Sequence, residues 1–255
     1  MAKRVVVTGR GGTGKTTFTA LACRFLTSPK LLIDLDPDQC LGNMLGVDLQ
    51  ANEIQTISDI LLNIREGKTE EDLASLPLPA KVEYLLNSSC LYESAEFDLI
   101  TLGVKWTQGC YCAPNDILHA LIPGMAGGYA FTILDSPAGL EHLNRRVANE
   151  ADDVFAVVDS SAKSMRNTEI FRDLAGEIGF RFDNLFLVAN HRFPAGEEAR
   201  LEKIAGATYV GRIENDQAVE RYDSEGRSLL ELPADSPACV TASAVLRNAG
   251  YETVA

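Results

Sequence analysis

The chain has 255 residues, 46% of them apolar and 23% charged, which is the composition of a globular protein that can bury a large core. Acidic residues outnumber basic ones by 36 to 23, and the formal net charge is −13. Such a surface repels nucleic-acid backbones and anionic lipid, and no apolar run reaches the roughly 18 residues of a membrane-spanning helix. We therefore expect no nucleic-acid or membrane partner and, since no export signal is recognisable, a cytoplasmic location.

Short β-branched runs alternate with longer helical patterns along the chain. Several runs, such as residues 154–158, are apolar throughout, which is typical of strands buried on both faces of a parallel sheet. The alternation predicts an α/β fold, namely a doubly wound and mainly parallel sheet of about seven strands in one domain spanning residues 1–255. Strands are predicted at residues 4–8, 30–36, 97–103, 131–135, 154–159, 184–190 and 207–213, and helices at 15–26, 56–65, 115–122, 140–149 and 164–178. Residues 66–92 give a less regular pattern, which Pro77 and Pro79 interrupt.

A glycine-rich loop follows the first predicted strand and precedes the first helix. Residues 9–16 read GRGGTGKT, which matches the phosphate-binding pattern G-x-x-x-x-G-K-[ST] in the strand–loop–helix context that this pattern requires. Glycines let backbone N–H groups converge on phosphate oxygens, and the helix N-terminus favours the same anion. The pattern predicts a P-loop NTPase in which Lys15 neutralises the β and γ phosphates and Thr16 holds Mg²⁺ through its hydroxyl.

Two acidic residues end predicted strands at the edge where a parallel sheet binds its ligand. Residues 32–37 read LIDLDP and residues 133–139 read ILDSPAG. Because the carboxyl ends of parallel strands line one crevice, Asp36 and Asp135 are expected to reach the phosphates. One carboxylate is predicted to align or deprotonate the attacking water, and the other to hold Mg²⁺ through water. The alternative for either acid is a helix cap or turn residue.

The second basic residue of the loop, Arg10, gives it a resemblance to the deviant Walker A motif of the MinD, ParA and nitrogenase-iron-protein group. Members of that group usually have lysine at this position. The resemblance implies an ATPase in which Arg10 reaches across a homodimer to the partner's nucleotide. It also implies that Asp36 lies in switch I and positions the hydrolytic water, and that residues 135–139 form switch II. Cys40 stands where the group usually has Asn or Asp.

Two later segments extend the resemblance to the base of the nucleotide. Residues 187–190, LVAN, are similar to the strand of this group that ends in an asparagine reading adenine. Residues 211–216, GRIEND, are similar to the loop that covers the base, with Glu214 in place of the usual proline. The predicted nucleotide contacts are therefore Gly9, Gly11, Gly12, Thr13, Gly14, Lys15, Thr16, Thr17, Asn190 and Glu214.

A Cys-x-Cys pair, Cys110 and Cys112, lies between the strand predicted at residues 97–103 and switch II. In an extended segment the two thiols project to the same side, where they can share one soft metal ion. Two thiolates supply half of a four-coordinate Ni²⁺ or Zn²⁺ site, and a twofold dimer would supply the other half. A pair of buried small side chains and a redox pair are the alternatives.

The sequence around this pair, GCYCAPN at residues 109–115, resembles that of the CooC family of nickel-insertion accessory ATPases of carbon monoxide dehydrogenase. The related acetyl-CoA synthase accessory protein is similar. The resemblance implies a metal ion held between two subunits by both Cys-x-Cys pairs, a homodimer formed on ATP or metal binding, and a nickel enzyme as client. The predicted function is that of a metallochaperone ATPase using ATP, Mg²⁺ and Ni²⁺ or Zn²⁺.

Other functions stay open beside this prediction. A spatial-organising ATPase such as MinD or ParA would use a basic C-terminal helix or a basic DNA-binding patch, whereas residues 238–255 contain one Arg and no Lys. An electron-transfer ATPase would take cluster ligands from two separated segments rather than a tight pair. A nucleotide switch with a structural or redox cysteine pair and a small-molecule kinase are further alternatives.

Overall fold

A computed structural model describes residues 2–68, 73, 75–104, 119, 124–139 and 150–254. Its centre is a sheet whose strands all end near one edge, apart from one short antiparallel strand. The strands are β1 Lys3–Gly9, β2 Lys30–Asp34, β3 Tyr92–Glu93, β4 Asp98–Thr101, β5 Phe131–Asp135, β6 Glu150–Val158, β7 Arg181–Ala189 and β8 Thr208–Arg212.

The strand order is β3-β4-β2-β5-β1-β6-β7-β8. Every neighbouring pair is parallel except β3 and β4, which are antiparallel. The chain starts at the middle of the sheet and builds outward in both directions. The predicted doubly wound α/β fold is thereby confirmed, and the switch between the two directions lies beside β1, where such sheets bind ligands.

Helices cover both faces of the sheet. On one face, Phe18 and Leu21 of the first helix pack in the same apolar cluster as Leu246 of the last helix. On the other face, Ile60 and Phe171 belong to a second cluster. Burial on both faces accounts for the apolar sequences of the central strands. The helices of the described residues are α1 Lys15–Phe25, α2 Cys40–Met44, α3 Ile57–Arg65, α4 Leu78–Leu85, α5 Ala162–Ile178, α6 Gln217–Ser224 and α7 Pro237–Asn248. Shorter helical turns occupy Leu86–Cys90, Glu198–Arg200 and Leu229–Glu231.

The sheet has eight strands rather than the predicted seven or so, because the two-residue strand β3 is too short to give a periodic pattern. Strand β2 also ends at Asp34, two residues before the predicted end, since the Asp34 carboxylate accepts a hydrogen bond from the Asp36 N–H and bends the chain. Strands β6 and β7 begin earlier than predicted. Their polar first residues, Glu150 and Arg181, form an ion pair 2.8 Å long that continues the pairing outward.

The irregular segment before β3 contains a helix. Pro77 is the N-cap of α4 and Pro79 lies in its first turn, where a proline's missing N–H and fixed φ are tolerated. The two prolines that interrupt the sequence pattern therefore mark where a helix starts. Of the predicted helices at 115–122 and 140–149, all residues except His119 lie outside the described residues.

The start of α3 is fixed by a capping box whose threonine packs directly against a glycine. The Thr56 hydroxyl accepts a hydrogen bond from the Asp59 N–H at 3.2 Å, and the Asp59 carboxylate accepts one from the Thr56 N–H at 3.0 Å. Gly103, just after β4, has a φ of +80°, and a β-carbon there would lie 2.2 Å from the Thr56 hydroxyl oxygen. Glycine at this position thus permits the close approach of α3 to the sheet.

Replacing Gly103→Ala is expected to lower the free energy of unfolding by about 3 kcal/mol, of which about 1 kcal/mol comes from the positive φ and the rest from overpacking against Thr56. Gly179→Ala is the matched control, because its φ is +76° and no atom lies within 4 Å of a β-carbon there. It should lose about 1 kcal/mol. Chemical denaturation measures both values, and equal losses would contradict the steric argument.

Candidate nucleotide-binding and hydrolytic site

The glycine-rich loop joins the end of β1 to the start of α1, as the motif predicts. Gly9 has a φ of +149°, and a β-carbon at Gly9 would lie 2.5 Å from the Val157 carbonyl oxygen of β6. Inside the loop, the Thr13 hydroxyl donates to the Arg10 carbonyl oxygen at 2.9 Å. The sheet and the loop's own hydrogen bonds therefore preform the phosphate cradle.

Lys15 is buried at the mouth of this loop. Its side chain is 94% withdrawn from solvent, and its Nζ donates to the Arg10 carbonyl oxygen over 3.4 Å. Among the described residues Lys15 forms no ion pair with a carboxylate. A buried ammonium with one long hydrogen bond retains donors for further oxygens, which suits the phosphates of a nucleotide.

Asp135 ends β5 below the loop and is completely buried. Its two carboxylate oxygens accept hydrogen bonds from the Thr16 hydroxyl at 2.8 Å and the Thr19 hydroxyl at 2.7 Å, both on α1. The structure thus brings together the predicted pair Asp135 and Thr16. Their oxygens are of the kind that Mg²⁺ prefers, so these residues fit the ion that accompanies ATP. Thr19 escaped the sequence analysis, although its position three residues after Thr16 places it on the same face of α1.

The two neighbouring strand ends carry a pair of buried acids. Asp34 of β2 and Asp135 of β5 are register partners, and neither exposes any surface. Burial raises the pKa of Asp34 well above its usual range, and repulsion from Asp135 raises it further. Burial likewise raises the pKa of Asp135 to about 6, against the lowering effect of the two threonine hydroxyls and Lys15. The edge of the sheet is therefore an acidic site, where a bound cation would favour the charged form of both carboxyl groups.

Asp36 stands two residues beyond this pair, in a turn between β2 and α2. It lines the cleft that also contains Lys15 and Thr16, and one of its carboxylate oxygens accepts a hydrogen bond from the Asp38 N–H at 3.1 Å. The predicted acids therefore take different places. Asp135 lies beneath the cleft against α1, whereas Asp36 faces the cleft itself.

The opposite end of the cleft is built by the ends of β7 and β8. Asn190 joins this end of the cleft to the phosphate loop, because its side-chain N–H donates to the Thr13 carbonyl oxygen at 3.2 Å. Its side-chain oxygen accepts a hydrogen bond from the Arg192 N–H at 3.0 Å. Glu214 lines the same cleft, and its carboxylate lies 3.0 Å from Nε of Arg212. The predicted base contacts thus lie at the cleft, while adenine reading by Asn190 stays a prediction.

Asp216 holds the loop after β8 in place, a role that the sequence analysis did not assign. Its carboxylate caps α6 through the Ala218 N–H at 2.9 Å and accepts from the Ala238 N–H at 3.2 Å and from the Ser236 hydroxyl. These bonds join three segments around the end of the cleft that Asn190 and Glu214 line. The signal in the sequence was an aspartate directly before a helix.

Arg10 lies outside the lining of the cleft and rests on its own chain. One of its guanidinium nitrogens donates to the Ser161 hydroxyl at 3.3 Å, and the Ser161 side chain caps α5. Ser161 in turn donates to the carboxylate of Asp159. The predicted crossing to a second subunit is untested by this contact, which shows where the side chain rests in a single chain.

The cleft has a volume of about 450 Å³. It brings together most of the predicted nucleotide contacts, while Gly9 packs beneath the loop. Those lining it are Gly11, Gly12, Thr13, Gly14, Lys15, Thr16, Thr17, Asn190 and Glu214, and the predicted catalytic residue Asp36 lines it as well.

The cysteines differ in where they lie relative to the core and the cleft. Cys110 and Cys112 lie outside the described residues, so their predicted metal site stays a prediction. Burial raises the pKa of the Cys23 and Cys90 thiols to about 12, which makes both inert core residues. Cys40 lines the nucleotide cleft in the turn with Asp36, and burial followed by repulsion from nearby aspartates raises its pKa. Within the described ranges, no three His, Cys, Asp or Glu residues are grouped to hold a metal ion.

Comparisons with known proteins agree with this geometry. A family profile described as an AAA domain matches residues 2–178. An uncharacterized ATP-binding protein of Methanocaldococcus jannaschii is 31% identical over 91% of this chain and 92% of its own length. The carbon monoxide dehydrogenase accessory protein CooC of Rhodospirillum rubrum is 25% identical over 92% of this chain and 91% of its own length.

Solved structures share the fold at lower identity. A ParA family ATPase from Chlorobium tepidum matches with a TM-score of 0.68 and 22% identity, covering 95% of this chain and 96% of its own. The septum site-determining protein MinD from Pyrococcus horikoshii, complexed with Mg-ADP, gives a TM-score of 0.65 and 17% identity over 98% of this chain and 96% of its own.

The chain therefore belongs to the AAA domain family. It is a P-loop ATPase with the MinD and ParA type of fold. Within the part of the chain that the structure describes, no helix has the length and apolar character needed to cross a membrane.

Asp135→Asn is expected to stabilise the nucleotide-free protein at neutral pH. Because the folded pKa of Asp135, about 6, lies above the ordinary value of 3.8, protonation favours the folded chain. That contribution is complete below about pH 4 and is lost as the pH rises through about 6. We expect the variant to be more stable than the wild type by about 3 kcal/mol at about pH 7.5, with the difference vanishing near about pH 4.

Chemical denaturation across this pH range, without nucleotide or Mg²⁺, measures the difference. Asp48→Asn is the control, because Asp48 is an exposed turn residue that accepts a hydrogen bond from the Ala51 N–H. A wild type and Asp135→Asn variant with parallel pH profiles would contradict the expected burial effect.

Proposed function

We propose that this ATPase is a homodimeric metallochaperone. It binds Ni²⁺ or Zn²⁺ through Cys110 and Cys112 of both subunits and assists nickel insertion into a carbon monoxide dehydrogenase or acetyl-CoA synthase type of enzyme. The observation that carries the proposal is the Cys-x-Cys pair in an ATPase that is similar to CooC over 92% of its length. The metal ion is the cargo of the reaction, and ATP supplies the driving force.

The described site supports the hydrolytic part of this proposal. The glycine-rich loop and Lys15 would hold the phosphates of ATP, and Thr16 with Asp135 would hold the accompanying Mg²⁺. Asp36 would orient the attacking water, because it faces the cleft while Asp135 is engaged below it. Bound Mg²⁺ would supply charge for the developing negative phosphate oxygens.

Arg10 supplies the proposed link between nucleotide and dimer. Among the described residues, the hydrogen bond to Ser161 is the one side-chain hydrogen bond of Arg10, so little free energy from them holds the guanidinium in place. In the dimer the same side chain would leave Ser161 and reach the phosphates of the partner's ATP. ATP binding in both subunits would then favour the closed dimer, and hydrolysis would release it.

The last described helix is unfavourable for the alternative function of a MinD-like or ParA-like spatial organiser. Helix α7 buries Ala242 and Leu246 in the core that it shares with α1, and its basic residue is Arg247 alone. A helix docked in this way offers no basic apolar face for an anionic membrane. The same nucleotide-driven dimer without metal would nevertheless favour this alternative.

Metal content and mass, measured together without oxygen, test the proposed cargo. Protein incubated with Ni²⁺ or Zn²⁺, with and without ATP and Mg²⁺, is analysed by size exclusion with light scattering and by elemental analysis. We expect about one metal ion per dimer, absent in the Cys110→Ala, Cys112→Ala double variant. Cys40→Ala is the matched control, because Cys40 is an exposed thiol and its loss should leave the metal content unchanged. Equal metal content in the wild type and double variant would overturn the proposal.

Arg10→Ala is expected to abolish ATP-dependent dimerisation and to lower the rate of hydrolysis by about tenfold or more, while ATP binding to the monomer changes by less than about threefold. Arg10→Lys keeps the charge and should retain part of both effects. Light scattering and phosphate release measure the outcomes. Arg181→Ala removes an exposed arginine at the start of β7 and should behave as the wild type. Dimerisation of Arg10→Ala at the wild-type ATP concentration would refute the crossing contact.

A further inference from the structure

Asp34 is a buried acid without a cationic partner. It ends β2, exposes no surface, and forms no ion pair with the described lysines and arginines. An isolated buried carboxylate costs several kcal/mol unless hydrogen bonds compensate it. A neutral residue would avoid this cost, so the carboxylate needs an explanation beyond packing.

The compensation comes from two backbone amides at the two ends of one turn. One carboxylate oxygen accepts from the Asp36 N–H at 3.0 Å, and the other accepts from the Leu41 N–H at 3.2 Å. Leu41 lies in the first turn of α2, whose N-cap residue Gln39 has a φ of +55° and makes no side-chain cap. Asp34 therefore supplies from the strand the cap that α2 lacks locally.

The same strand end is tied to Asp135. Asp34 and Asp135 are register partners, and the Leu35 N–H donates to the Asp135 carbonyl oxygen at 3.0 Å. The Asp36 carboxylate, by contrast, accepts its hydrogen bond from within the turn, from the Asp38 N–H. The direction of Asp36 is consequently set by the turn, and the turn is held at both ends by Asp34.

We propose that Asp34 is a positioning residue for ATP hydrolysis, which fixes the turn of residues 35–41 so that Asp36 faces the phosphates held above Asp135. This inference rests on the role proposed above for Asp36. Asp34 itself is fully buried and does not line the cleft. Because its two amide contacts tie the turn to the end of β2, the position of that strand end determines where the Asp36 carboxylate lies.

Asp34→Asn and Asp34→Ala test the inference in the full-length protein. The asparagine keeps one acceptor oxygen and turns a donor toward the second amide, whereas alanine loses both acceptors. We expect kcat to fall by about tenfold in Asp34→Asn and by up to about a hundredfold in Asp34→Ala, because small misplacements of a catalytic group have effects of this size. The KM for ATP should change by less than about threefold, since the phosphate loop is untouched.

Hydrogen–deuterium exchange and thermal unfolding separate positioning from a general loss of structure. Peptides covering residues 35–41 should exchange faster in both variants, while peptides of β1 and α1 keep the wild-type rate. Because Asp34→Asn replaces a buried acid beside Asp135 with a neutral side chain, its unfolding temperature should equal or exceed that of the wild type. Asp48→Asn is the matched control, since its carboxylate accepts the Ala51 N–H in an exposed turn outside the cleft.

The inference is overturned if Asp34→Asn keeps kcat within about twofold of the wild type, or if residues 35–41 exchange at the wild-type rate. It is also overturned if kcat falls together with the unfolding temperature and with ATP binding. Failure of the proposed function gives a different result. In that case Asp36→Asn hydrolyses ATP normally, while faster exchange of residues 35–41 in the Asp34 variants still supports the hold on the turn.

Discussion

The parallel register of β2, β5 and β1 is the constraint on which the rest of the site depends. Asp34, Asp135 and Val7 lie side by side in this register, and β1 continues for two further residues to Gly9, so the segments that follow the three strands start close together. The phosphate loop grows from β1, the turn with Asp36 from β2, and the segment after Asp135 from β5. Three pieces of chain that are distant in sequence thereby meet at one edge of the sheet.

This arrangement concentrates negative charge where the protein binds an even more negative ligand. Asp34 and Asp135 are buried side by side, and the chain as a whole carries a net charge of −13. Lys15, the threonine hydroxyls on α1 and backbone amides offset part of the cost without neutralising it. A divalent cation would complete the balance, which would make nucleotide with Mg²⁺ a better partner than nucleotide alone. The pKa of Asp135 in the free protein is raised because burial disfavours its charged form more than the threonine hydroxyls and Lys15 favour it.

Movement at this site would reach the rest of the molecule through the turns rather than through the strands. Strands β1, β2 and β5 are each paired on both sides, whereas the turn after β2 is held by the two amide contacts of Asp34 and the loop after the edge strand β8 by those of Asp216. Arg10 is held by one hydrogen bond to Ser161. Loss of a bound phosphate would therefore act first on the turn after β2, the loop after β8 and Arg10, each of which is held by a few hydrogen bonds. Such weakly held segments are the physical requirement for a nucleotide-driven switch.

Local periodicity and a contiguous motif were enough to predict the strand–helix alternation, the phosphate loop and the position of Asp135 at the end of a strand. The sequence also indicated Asp36 for this site, although Asp36 lies in the turn beyond β2 rather than at the strand end. It missed β3, whose two residues carry no period, and the bend that ends β2 at Asp34. The three-dimensional packing places Asp135 against α1 and Asp36 at the cleft, and it brings Arg10 against a residue 151 positions away. Contacts of this kind follow from the register of neighbouring strands and from helix packing, neither of which is encoded in any short stretch of sequence.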